Sequence, residues 1–184
     1  MNRNTHQNTS CAGEQNSSEN TVNFCGAKEY TDSGRISDET GKVFLSLPAE
    51  QDSYPVLEQW LDKLADEYAI PMSVISKIQI AADEIFTNIV KYAYPKTAGT
   101  VDIVFSLDTE EDTAVLSFLD SGTPFDPLKK DDPELNIPLE KRRIGGLGIL
   151  VVKQLMTRVE YQRKGGRNVI TITKKLHEDG SVTP

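Results

Sequence analysis

The chain has 184 residues with 38% hydrophobic and 26% charged residues, the composition of a soluble globular domain with enough mass for a sizeable core. A net charge of −8 argues against nucleic acid or an anionic membrane as partner, because both reward a basic face. No run approaches the ~20 apolar residues of a membrane span, and residues 1–18 have no apolar core of the signal-peptide kind, so the expected location is the cytoplasm.

Residues 1–41 are rich in Asn, Ser, Thr, Glu and Gly without apolar period, and are expected to form a disordered tail. The only cysteines, Cys11 and Cys25, fall in this tail. Two are too few for a disulfide framework or a zinc site, and they read as incidental thiols. Order is expected from Lys42 to Leu47, a strand by its β-branched and aromatic content. Residues 54–68 carry Val56, Leu57, Trp60, Leu61, Leu64 and Ala65 at spacings of three and four, an amphipathic helix that Asp52 or Ser53 could cap. Ile70-Pro71 breaks it. Ser73 is the expected N-cap of a second, long helix that runs to about Tyr92 and stops before Pro95.

On that helix Ile75, Ile78, Ala82, Ile85, Phe86, Ile89 and Ala93 gather on one arc. Lys77, Glu84, Asn88 and Lys91 gather opposite. By period alone the polar arc reads first as a solvated face. The sharper reading is the floor of a pocket, since a carboxylate can take a proton from an attacking hydroxyl and an amide oxygen one turn on suits Mg²⁺.

Residues 100–107 and 113–119 read as a hairpin joined by the acidic turn 108–112. The second strand runs into Asp120-Ser121-Gly122-Thr123-Pro124. This is either an ordinary polar turn or an acceptor for an exocyclic amine, with Gly122 leaving room for a planar base. From 121 to 144 the pattern collapses into a proline- and charge-rich loop, long enough to suggest a lid. Then Gly145-Gly146-Leu147-Gly148 precedes a short apolar helix, 149–156. Converging backbone N–H groups and a helix N-terminus favour an anion there. Lys141, Arg142 and Arg143 just upstream either meet phosphate charge or form a solvated basic run. The cluster is neither a Walker A loop nor a dinucleotide fingerprint. Residues 158–163 and 167–174 are two last strands around Gly165-Gly166. Helices between groups of hairpin strands point to an α+β two-layer sandwich: a mixed, mostly antiparallel sheet with helices on one face.

In this order the three pieces resemble the Bergerat-type, histidine-kinase-like ATP-binding superfamily, which includes gyrase, MutL and the histidine-kinase ATP domain. The nearest likeness is to the anti-sigma-factor serine kinases of the RsbW and SpoIIAB type. Glu84-Ile85-Phe86-Thr87-Asn88 matches the family's N-box, with Tyr92-Ala93-Tyr94 as its ending and Tyr92 in place of the usual His. Asp120-Ser121-Gly122-Thr123-Pro124 matches the Asp-x-Gly-x-Pro box. Gly145-Gly146-Leu147-Gly148 through Leu155-Met156-Thr157 matches the glycine box, with Thr157 in place of Asp. The resemblance covers about Val43 to Leu176 and implies an ATP-binding domain at 42–176, with a C-terminal tail at 177–184. It implies that Asn88 coordinates Mg²⁺, Glu84 acts as catalytic base, and Asp120 accepts from the adenine amine beside Gly122. Gly145, Gly146, Leu147 and Gly148 would wrap the phosphates, residues 125–144 would form the ATP lid, and Thr171 would help bind adenine. The implied activity is a protein serine/threonine kinase. It would phosphorylate an anti-sigma-factor antagonist of the STAS type and, in its other state, hold a sigma factor. The family often forms homodimers. The alternative is a non-catalytic switch that binds ATP and gates a protein partner without phosphotransfer. An ATPase of the gyrase or MutL sort fits less well, because the chain is too short for the extra domains.

Overall fold

The computed structural model describes residues 41–95, 97–129 and 147–177. The polar tail, most of the expected lid, Gly145, Gly146 and the residues beyond His177 lie outside them. The described residues fall within one compact unit, Ser37–Pro184. Among them the elements run β1 (Val43–Pro48), α1 (Tyr54–Glu67), α2 (Met72–Asn88), a π-helical turn (Ile89–Ala93), β2 (Thr100–Asp108), β3 (Thr113–Asp120), α3 (Leu147–Leu155), β4 (Arg158–Lys164) and β5 (Arg167–Lys175).

The five strands form one sheet in the order β1-β2-β3-β5-β4. The expected mixture of strand directions is absent there: all four pairings are antiparallel. Both tight turns arise from local chemistry. In the β2–β3 turn the Asp108 carboxylate accepts from the backbone N–H of Glu110 and Glu111 (3.1 and 3.0 Å), and Asp112 takes a positive φ of 53°. In the β4–β5 turn Gly165 and Gly166 have φ of 59° and 81°, the pair of left-handed residues that a two-residue hairpin demands.

Strand alternation gives the sheet two unlike faces. Val101, Ile103, Phe105, Leu116, Phe118, Ile170 and Ile172 are buried in one core cluster with the helical residues Leu57, Leu61, Ile78, Ile85, Phe86 and Val152. Their alternates (Asp102, Ser117, Leu119, Thr171) are only partly buried and point the other way. The periodic arc read on α2 is the buried one, joined by Val74 and Ala81. The start of α2 differs from expectation. Pro71, extended at ψ 139°, is the N-cap, and its carbonyl accepts from Val74 N and Ile75 N. Ser73 is already inside the helix. Ser53 does stand at the N-cap of α1, but its side chain makes no capping bond.

No helix among the described residues is long and apolar enough to cross a membrane.

Candidate functional site

The site is built around α2 and the turn that continues it. Helix α2 packs against both α1 and α3. Glu84 lies on its partly exposed side, one turn before Asn88. No side-chain hydrogen bond or ion pair engages either residue among the described ones. The Glu84 carboxyl group instead lies directly against the backbone of Gly148, in the first turn of α3. A Cβ built on Gly148 would overlap Oε2 and stand 2.6 Å from Cδ. Only glycine leaves the carboxylate this place. The acid of the first piece and the last glycine of the third are thus in contact.

After Asn88 the chain widens into the π-helical turn Ile89–Ala93. Such turns insert a residue into the helical register and re-aim the side chains beyond it. Here the Ala93 carbonyl accepts from Thr123 N at 2.9 Å. A Cβ on Gly122 would come within 2.5 Å of that same oxygen and 2.7 Å of the carbonyl carbon, so Gly122 is required by the approach of two backbones. Tyr94 adds a second tie. Its hydroxyl accepts from Ser121 N (2.9 Å) and donates to the Thr100 carbonyl (3.1 Å). Tyr92, which points out of the same turn, stacks on Phe125 at the root of the long loop, with ring centroids 4.9 Å apart and planes 29° from parallel. The helical piece therefore touches both of the others, through Glu84 at one end and Ala93 at the other.

Asp120 ends β3 with 2% of its surface exposed. Its Oδ1 accepts from Gly122 N (2.9 Å) and from the Asn168 amide (2.8 Å). No further hydrogen bond reaches Asp120 from the described residues, which leaves Oδ2 unengaged there.

Of the residues singled out from sequence, Glu84, Asn88, Asp120, Gly122, Leu147 and Gly148 stand on these three contacting pieces. Gly145 and Gly146 lie outside the described residues. Thr171 does not stand on these pieces. It pairs with Ser117 in register, and the two hydroxyls bond each other at 2.9 Å on the sheet face opposite the helices. Successive strand residues alternate faces, so a residue at an odd position of β5 cannot share a side with Asp120. The β5 residue beside Asp120 on that side is Asn168, directly opposite it in the ladder and 2% exposed. Sequence reasoning missed it, together with its partners Tyr161 and Arg163. The signal that could have found it is pairing: β3 and β5 in register set Asp120 beside a buried amide.

Among the described residues there is no cluster of three or more His, Cys, Asp or Glu that could hold a metal by protein ligands alone. A hard ion shared with substrate phosphates needs only one or two protein oxygens. The unengaged carbonyl of Asn88, with a carboxylate one turn away, has that character.

Comparison with known proteins identifies the family. Residues 47–174 match the histidine kinase-like ATPase domain family, and the chain belongs to that family. The serine-protein kinase RsbW of Bacillus cereus (strain ATCC 10987 / NRS 248) is 27% identical over 142 residues, 75% of this chain and 87% of that protein. RsbW of Bacillus mycoides (strain KBAB4) is 25% identical over the same length. A crystal structure of the RsbU and RsbW domains of Rv1364c from Mycobacterium tuberculosis superposes with a TM-score of 0.54 at 17% identity, over 73% of this chain and 32% of that one. That likeness is one of fold.

Proposed function

We propose that this member of the histidine kinase-like ATPase family is an ATP-dependent protein serine/threonine kinase. Its substrate would be an anti-sigma-factor antagonist of the STAS type, and in its other state it would hold a sigma factor. The observation that carries the reading is the contact of Glu84 with Gly148, which sets a carboxylate that has no partner among the described residues at the start of a glycine-led helix. The similarity to proteins named serine-protein kinases gives the carboxylate its task.

Each residue has a part in this reading. Asp120 accepts the adenine amine on Oδ2, and Gly122, whose turn is seated on the Ala93 backbone, stands beside the ring. Gly145, Gly146, Leu147 and Gly148 offer backbone N–H groups to the phosphates at the N-terminus of α3, where the helix dipole favours negative charge. Asn88 holds Mg²⁺ through its side-chain oxygen, and the ion supplies charge neutralisation for the phosphates. Glu84 takes the proton from the attacking serine or threonine hydroxyl as its oxygen bonds to the γ-phosphorus and the bond to the ADP oxygen breaks. Phosphoryl transfer is mostly positioning and electrostatics, so one base, one ion and an anion cradle suffice. The domain spans 42–176 with tails at 1–41 and 177–184, and works in the cytoplasm as a monomer or homodimer beside its protein partners.

The test is incubation with γ-labelled ATP, Mg²⁺ and candidate antagonist proteins, beside a Glu84→Gln variant. Label on a partner hydroxyl, lowered about 10²–10⁴-fold in the variant, is expected of a general base. Tight ATP binding with no transfer to any candidate would replace the kinase by the non-catalytic switch.

A further inference from the structure

We propose that Asn168, held in place by Tyr161 and Arg163, is the positioning residue that makes the pocket select a 6-amino purine over a 6-oxo purine. The inference rests on the reading of Asp120 as the base-binding acid, and adds to it the group that fixes what Asp120 presents.

The hydrogen-bond bookkeeping closes around Asn168. Its Nδ2 donates to Asp120 Oδ1 (2.8 Å) and to the Thr123 carbonyl (3.0 Å). Its Oδ1 accepts from the Tyr161 hydroxyl (2.9 Å) and from Arg163 Nη1 (2.7 Å). An amide has two donors and two acceptor sites, and here all four are used. Acceptors stand on one side and donors on the other, so the amide has one orientation only. A network satisfied in this way around a buried amide is rigid. Arg163 also donates to the Gly122 carbonyl (3.2 Å), which ties the network to the turn beside the base.

The consequence falls on Asp120. Both of its donors, Gly122 N and Asn168 Nδ2, converge on Oδ1. The carboxylate is thereby fixed in rotation, with Oδ2 left to face a ligand as a pure acceptor. An exocyclic amine donates to it. A 6-oxo group would set two acceptors against each other with no proton between them. A site built to bond a ligand's N–H rejects the analogue that lacks it more strongly than an apolar pocket could.

The experiment is equilibrium titration of the full chain with ATP and with inosine triphosphate, across pH 5.5–8, for the wild type, Asn168→Ala and Asn168→Asp. The wild type is expected to prefer ATP by at least about tenfold, the worth of one hydrogen bond to a charged group. In Asn168→Ala the carboxylate can turn, and the preference shrinks by about threefold or more. In Asn168→Asp two carboxyl groups meet and share a proton, so one oxygen becomes a donor. The preference then narrows further as pH falls, a dependence that a merely structural role would not produce. Variants that melt cooperatively yet keep the wild-type ratio at every pH overturn the inference while leaving the pocket standing. Should both fail to fold, Arg163→Met at an exposed position carries the same measurement, and an unchanged ratio there overturns it equally. A wild type that binds both nucleotides alike overturns the inference, and one that binds neither overturns the ATP reading itself.

Discussion

The carboxyl group of Glu84 rests against the backbone of Gly148, so closely that a methyl group added there would overlap Oε2. The overlapped atom is the far end of a flexible side chain, and position 148 is helical. Gly148→Ala should therefore fold at least as well as the parent, because alanine is favoured over glycine in a helix by about 1 kcal/mol. What it should lose is the place of the carboxylate. The expected outcome is an unchanged or raised melting temperature with phosphoryl transfer reduced about tenfold or more. Paired melting and transfer assays read both.

Gly122→Ala should behave in the opposite way. Its added methyl meets the Ala93 backbone, with the carbonyl oxygen at 2.5 Å. Backbone cannot step aside cheaply, so overpacking should cost about 1–3 kcal/mol. Trp60, the single tryptophan and 5% exposed in the core, gives a fluorescence signal for denaturant titration. A midpoint equal to the parent's would contradict the close approach.

Tyr94→Phe removes one hydroxyl that bridges Ser121 N and the Thr100 carbonyl. Stability should fall by about 0.5–1.5 kcal/mol. Nucleotide affinity should fall with it, since the same hydroxyl pins the turn that carries Asp120 and Gly122. A loss of stability with affinity untouched would show that the turn does not need the tie.

Tyr54 sets an alkaline limit. Its hydroxyl donates to the Gln79 carbonyl at 3.1 Å. Burial, and after it the charges of Asp83, Glu58 and Asp62, push its pKa well above the ordinary value. A proton held more tightly in the folded state than in the unfolded one gives stability that is intact below the unfolded pKa of about 10 and declines as pH rises above it. Thermal melts between pH 8 and 11 should show that decline, and Tyr54→Phe should flatten it.

The parts of this architecture legible in the sequence are those written locally. The apolar arc of α2, the Gly-Gly hairpin turn and the acidic turn at 108–112 each announce themselves within a few residues. So does the pairing of Glu84 with Asn88 on one face. The hidden parts depend on what packs where. The π-helical turn after Asn88 goes with the meeting of Ala93 with Thr123 and Gly122, which no helical period encodes. Asn168 becomes visible only once β3 and β5 stand in register, 48 residues apart in the chain. Thr171 is misplaced by sequence for the same reason. Strand alternation fixes a face only when the register is known, and an odd-numbered residue of β5 falls on the side away from the helices.

If α2, the Asp120 turn and the glycine-led start of α3 make one nucleotide pocket in which Asn88 holds the metal, the affinity for ATP must depend on Mg²⁺ through that one side chain. Calorimetric titration with ATP, with and without Mg²⁺, reads this in the wild type and in Asn88→Ala. Mg²⁺ should strengthen ATP binding to the wild type, and the variant should lose both that dependence and about tenfold or more in affinity. An Asn88→Ala protein that binds Mg·ATP as tightly as the wild type, with the same dependence on Mg²⁺, would contradict the shared pocket.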